Sequence, residues 1–228
     1  MSWFAREWPQ VLQLTLAHLG LSLPAILLSV LLAVPLGRLA VRFPRFGGGL
    51  LSAASLLYAI PALPLLVFVP ALFGVPLRSG ASIVIALTLY GVALMVRTAA
   101  DAFRSVDETV RQAAVAIGCS ARSLFWRVDL PLAVPVLTSG ARVVAVSTVG
   151  LVTIGALVGV PSLGTLFTDG LQRGIADEIA AGLVATVLLA LALDGIVLLA
   201  GFLLTPWTRH AARSDADVGA GARTEAAR

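Results

Sequence analysis

The chain has no lysine: all sixteen of its basic residues are arginine. Charge of either sign is sparse, at 12% of residues, against about 25% in an ordinary soluble domain. Cysteine occurs once, at Cys119, which excludes an internal disulfide and any cysteine-based metal cluster. The two histidines, His18 and His210, lie too far apart in sequence and setting to suggest a metal site. A phosphate-binding loop would need Lys-Ser/Thr after its glycines, so Gly47-Gly48-Gly49 reads as a short turn. No Gly-x-Ser-x-Gly occurs either. The expectation is therefore no catalytic residue, no cofactor and no metal. The all-arginine usage reads as composition bias. A net charge of +4 suits orientation in a membrane and gives no reason to expect a nucleic-acid partner.

What the chain has in abundance is apolar sequence. Hydrophobic residues make up 59% and the mean hydropathy is +0.99. About 20 apolar residues span a bilayer as a helix, and five runs qualify: 11–36, 50–73, 81–100, 132–160 and 179–204. Backbone polar groups in lipid must be paired within the segment, so these runs are helices. The fold class is all-α, a polytopic bundle of about five spans. A transmembrane domain is expected over 1–210 and a disordered cytoplasmic tail over 211–228, where small polar residues have nothing to bury. The first run is about 26 residues long and follows Arg6 and Glu7, unlike the roughly 7–15 residues of a cleaved signal core.

Arginine placement sets the orientation. Thirteen arginines fall on one side, at 38, 42, 45, 97, 104, 111, 122, 127, 142, 209, 213, 223 and 228, and three on the other, Arg6, Arg78 and Arg173. The richer side is cytoplasmic, which puts the N-terminus outside and the C-terminus inside. Trp3 and Trp8 then lie at the outer interface and Trp207 at the inner one. Arg97 and Arg142 read as anchors of helix ends at the cytoplasmic face.

Residues 105–131 stand apart as a polar helix–glycine–helix between spans. Ser105 with Glu108 forms a capping-box pattern, and Asp107 adds negative charge at the helix start. Val110, Ala113, Ala114 and Ile117 make a narrow apolar stripe, with Glu108, Arg111 and Gln112 off it. Gly118 sits where a helix stops in a left-handed conformation. Ser120 caps a second short helix carrying Leu124, Phe125 and Val128, and Leu130-Pro131 closes it and opens the next span. The small Ala113 and Ala114 permit close approach, and Phe125 and Trp126 offer bulk for a cleft. Such an element suits a cytoplasmic handle gripped by another protein.

Gln112-Ala113-Ala114, Gly118 and Leu130-Pro131 resemble the EAA loop of ABC importer permeases, with Gln112 in place of the usual Glu. Over about residues 11–205 the chain is most similar to the osmoprotectant permeases. Tyr58-Ala-Ile-Pro61-Ala-Leu resembles the Gln-Thr-Ile-Pro-Ser-Leu of that group. Leu89-Tyr90 and Arg97-Thr98 resemble its Leu-Tyr and Arg-Asn-Thr, and Pro131-Leu-Ala-Val-Pro135, Gly140 and Arg142 match its Pro-Leu-x-x-Pro and Gly-x-Arg. Gly155, Gly159 and Leu163-Gly164 are similar to its glycine-rich turn, where Val160-Pro161-Ser162 departs from Ala-Gly-Gly.

The resemblance implies a multi-pass subunit of a bacterial plasma membrane. It implies an ABC ATPase docked on the loop through Glu108, Arg111, Gln112, Ala113, Ala114, Gly118, Leu130 and Pro131. An extracytoplasmic solute-binding protein and a second permease chain, identical or sister, complete the expected assembly. The implied cargo is glycine betaine, choline, carnitine or a similar solute; the alternative is an amino acid such as methionine. Other classes, an intramembrane enzyme or a stand-alone secondary transporter, give no reason for the 105–131 element.

Candidates for the translocation path are Tyr58, Pro61, Tyr90, Ser147, Thr148 and Asp194. Asp194 is the one acid well inside a span and must face the bundle interior or water. It serves either the path or a structural hydrogen bond to a neighbouring helix. Pro61 and Pro64 break the second span, either beside a cavity or as packed kinks.

Overall fold

The computed structural model describes residues 2–207, with side chains from Arg6 onward. The segment expected as a tail over 211–228 and His210 lie outside the described residues. The helices in chain order are α1 (Ser2–Arg42), α2 (Pro44–Ala59), α3 (Ala62–Leu72), α4 (Gly80–Arg104), α5 (Glu108–Ala116), α6 (Ala121–Leu124), α7 (Leu130–Val152), α8 (Gly164–Arg173) and α9 (Ala176–Leu204). A π turn, Phe125–Asp129, joins α6 to α7, and a 3-10 turn, Thr153–Val158, follows α7.

Among the described residues, four helical runs are long and apolar enough to cross a membrane: Arg6–Arg42, Gly80–Arg104, Ala121–Val158 and Ala176–Leu204. The second expected span is not straight. It is the pair α2 and α3, bent by 114°, and it makes a fifth crossing only when the two are taken together. The cause is local. Pro61 has no N–H, and a residue before proline is driven out of the helical region; Ile60 accordingly has ψ 129°. Pro64, expected as a second break, sits in the first turn of α3, where a missing N–H costs nothing.

At 41 residues, α1 is about 60 Å long at ~1.5 Å per residue, twice the hydrocarbon thickness. It lies along α4 and also touches α2, α7 and α9. The α1–α4 seam is close because it is built from small residues: a Cβ on Gly37 would stand 2.6 Å from Ala99 Cβ, and one on Gly91 would overlap Ser29 Oγ. Without a hydrophobic force between helices in lipid, such close packing and interhelical hydrogen bonds hold the bundle. Ser29 Oγ reaches Thr88 O of α4 at 3.2 Å.

A buried cluster around Met95, Val96, Phe103, Val106, Leu137 and Val144 fills the end of the bundle nearest α5, and a second around Leu66, Val69, Ile83 and Val152 fills the opposite end. Leucines and valines of α9, such as Leu183, Leu188, Leu191 and Leu203, point outward. A continuous apolar surface of this kind suits lipid.

Three sequence expectations are corrected. Arg142 does not end a helix. It lies in the interior of α7 and pairs with Asp194 of α9. Arg97 also lies within α4, and its Nη2 donates to Ser55 Oγ at 3.0 Å. Leu130-Pro131 does not close one helix before another starts, because helical structure runs unbroken from Ala121 to Val158. Proline crowds the carbonyl four residues before it; the wide π turn, in which Leu130 N–H bonds Phe125 O, relieves that crowding.

Candidate functional site

The 105–131 element is pinned at its root and open at its tip. Ser105 ends α4 instead of opening α5, its hydroxyl donating to Ala102 O at 2.9 Å. The cap of α5 is Asp107, which accepts from Thr109 N–H at 2.8 Å. That bond holds the Asp107 carboxyl below its ordinary pKa. The capping-box expectation fails because α4 runs on through Arg104 and takes up Ser105.

The far end of α5 is a Schellman turn: Gly118 has φ +90°, its N–H bonds Val115 O at 2.9 Å, and Cys119 N–H bonds Ala114 O at 3.0 Å. Ser120 then caps α6 by accepting from Ser123 N–H at 3.3 Å. Of the expected apolar stripe, only Ala114 is buried. Val110 and Ala113 are exposed, and Ile117 is 83% exposed. Val115 and Trp126 are exposed as well. Glu108 and Gln112 are also open, while Leu130 and Pro131 are half-buried at the start of α7. The helix therefore turns its apolar side chains away from its own bundle.

What fixes the root was not visible in the sequence. Asp129, on the π turn, is fully buried. Its Oδ1 accepts from Arg111 Nε at 2.7 Å, and Arg38 of α1 stands beside Oδ2 as an ionic contact without hydrogen-bond alignment. Arg111 also donates to Phe103 O and to Glu108 Oε2. Burial works against the Arg111 charge, but the hydrogen bond and charge of Asp129 outweigh it and raise the pKa. The Arg38 guanidinium covers the Phe103 and Phe125 rings at 5.5 and 5.7 Å. One carboxylate thus ties α1, α5 and the root of α7 together. Its only sequence signal is an acid directly ahead of Leu130-Pro131 at the mouth of an apolar run.

Within the bundle, Arg142 holds Asp194 by two hydrogen bonds, Nε to Oδ1 at 2.8 Å and Nη2 to Oδ2 at 2.7 Å. The pair lines an open cavity of about 360 Å³ with Ser139, Val143, Val146 and Ser147. Thr148 is buried and turned from that cavity. Tyr58 and Tyr90 meet elsewhere, between α2 and α4, with ring centroids 4.9 Å apart, and Pro61 marks the bend just beyond Tyr58. The path candidates therefore form two groups.

His18, which has no role as a metal ligand in the sequence reading, is a buried clamp. Leu163 N–H donates to its Nδ1 at 3.3 Å, so Nε2 carries the proton and donates to Val149 O at 3.0 Å. It ties α1 to the end of α7 and to the turn before α8.

The model of one family, the binding-protein-dependent transport system inner membrane component, matches residues 25–210. The chain belongs to this family. Among curated members of known role it is similar to the osmoprotectant import permease protein OsmW of Salmonella typhimurium, at 32% identity over 85% of this chain and 91% of that one. It is also similar to the choline transport system permease protein OpuBB of Bacillus subtilis, at 29% identity over 86% of this chain and 89% of the relative. The carnitine transport permease protein OpuCB of Listeria monocytogenes shares 27% identity over 93% and 96% of the two chains. A chain of the MetNI methionine ABC transporter, solved in inward-facing conformations, has the same fold, with a TM-score of 0.76 at 19% identity over 88% of this chain and 98% of that one. This inner-membrane component is a transport subunit.

Proposed function

We propose that this chain is the permease subunit of an ABC importer for a compatible solute bearing a quaternary ammonium group, such as glycine betaine, choline or carnitine. The chain has no phosphate loop, so a partner ATPase supplies the energy through residues 105–131. The observation that carries this reading is the contrast within that element. Its root is locked by Asp129 between Arg111 and Arg38, while Val110, Val115, Ile117 and Trp126 stand exposed at its tip. Apolar side chains held out on a rigid base suit docking into a partner's groove, and a locked base passes the partner's movement to α1 and α7.

The transmembrane domain spans 1–210 on this reading, and the segment 211–228 is a cytoplasmic tail. Two permease chains pair, because five spans, with α2 and α3 together making one, are few for a whole pathway. A solute-binding protein delivers cargo at the outer face and sets the affinity. The arginine asymmetry, which persists when Arg97 and Arg142 are left out, supports the N-terminus outside and the element inside.

Proteoliposomes carrying all subunits test the function. Uptake of radiolabelled betaine or choline that depends on ATP is the expected result; uptake of an amino acid and of no quaternary amine overturns the substrate. Orientation is tested by Ala116→Cys on a Cys119→Ser background, which should resist an impermeant thiol reagent in intact cells.

A further inference from the structure

The break between α2 and α3 lies beside an aromatic pair deep in the bundle. Tyr90 is ten residues into the 25-residue α4, roughly 15 Å along it at ~1.5 Å per residue, which is mid-bilayer for a core of about 30 Å. Tyr58 is the second-last residue of α2, 44% exposed, and its ring meets that of Tyr90 at 4.9 Å with the planes inclined at 41°. This is neither a flat stack nor an edge-on core contact, and one of the two rings is open.

Three further features converge here. First, α2 stops one residue beyond Tyr58. A helix ends with carbonyls that lack intrahelical donors and carry the negative end of its dipole. Leu57 O is taken by Ile60 N–H, Pro61 has no N–H to offer, and the last turn of α2 has no basic residue to neutralise it. Secondly, Arg97 is seven residues after Tyr90, two turns on, and so lies on the same face of α4. Its exposed guanidinium is steadied by Ser55, three residues before Tyr58 on α2. Thirdly, an exposed guanidinium within a span is costly against lipid, so this face of α2 and α4 borders water or protein.

We propose that Tyr58 and Tyr90 form a low-affinity passage site for a quaternary ammonium group, with Arg97 receiving the carboxylate of a zwitterionic solute. This rests on the substrate class proposed above and gives it a place in this chain. A quaternary ammonium has no N–H to donate, so ring faces and carbonyl dipoles are the groups that replace its water. Two rings and a helix end make an open site and not a closed cage. Such a site offsets dehydration at mid-membrane without trapping the cargo.

The test uses the assembled complex with its own ATPase and binding protein in proteoliposomes, at equal amounts of assembled complex. Position 58 is changed to phenylalanine and then to mono-, di- and trifluorophenylalanine, which empties the ring face of negative potential while barely changing its shape. Uptake of betaine and choline should fall stepwise along the series, by about fivefold at its end. Arg97→Gln should reduce uptake of betaine, which has a carboxylate, several-fold more than uptake of choline, which has none. A structural role at either position predicts no fluorination trend and equal losses for both cargoes, and either result overturns the site. Where the wild-type complex carries only one of the two cargoes, the fluorination trend decides alone. A wild-type complex that carries neither overturns the substrate class and the site together.

Discussion

Asp129 and Asp194 each meet arginine, and their settings differ. Asp129 is fully buried and shared by two guanidiniums from separate elements, α1 and α5. Asp194 is part exposed and held by one guanidinium of the adjacent α7, at the edge of an open cavity. The first is a joint: three parts of the chain have their relative positions fixed by one carboxylate. The second is a neutralised pair, in which each charge makes the other tolerable inside a span. Equal chemistry in the two places therefore predicts unequal consequences.

The largest effect is expected at the joint. Asp129→Ala strands two guanidiniums, and losing one partner of a buried ion pair typically costs about 3–5 kcal/mol. The variant should lose thermal stability in detergent and should no longer co-purify with the ATPase. Asp129→Asn keeps one acceptor for Arg111 and should lose less. At the pair, Arg142→Ala should lower the yield of assembled permease because it leaves Asp194 alone in the span. Arg142→Ala with Asp194→Ala should recover part of that yield. If Asp129→Ala and Asp194→Ala prove equally harmful, the distinction between joint and pair is wrong.

The turn beyond α5 comes next in size. Gly118→Val places a branched residue at φ +90°, where a left-handed conformation costs a non-glycine residue about 1–2 kcal/mol or more. It should weaken ATPase association while leaving the chain inserted, as measured by co-purification against membrane yield. The smallest effect belongs to Asp107. Hydrogen bonding lowers its pKa in the folded chain, so its contribution is present above the ordinary aspartate value of about 3.9 and is lost as pH falls through the folded value. Asp107→Ala should therefore differ from wild type by a small, constant amount between about pH 5 and 8. A difference that changes across that window would contradict the cap.

The contrast between joint and pair also shows what a linear sequence displays. Apolar runs, Gly118 and the Ser120 cap were legible because each depends on residues within a turn or two. The bend at Pro61 was legible as a break, though not its angle. Asp129 was missed because its meaning comes from Arg38, which is remote in sequence and adjacent only after folding. Arg142 was misplaced for the same reason: an arginine in an apolar run reads as a span end until its partner, Asp194 on α9, is seen. The cap of α5 failed differently. Ser105 and Asp107 are both competent caps, and where α4 ends decides between them. His18 gave no local signal, since its two partners are backbone groups of distant segments.

On the function proposed above, the exposed tip of residues 105–131 is where the partner ATPase holds this permease. The most direct measurement places a photo-reactive benzoylphenylalanine at Ile117, which is 83% exposed, and irradiates the complex while it is transporting. The expected result is a covalent adduct with the ATPase subunit, in good yield and lost in Asp129→Ala. A transporting complex in which residue 117 crosslinks only to lipid, or to nothing, would contradict it.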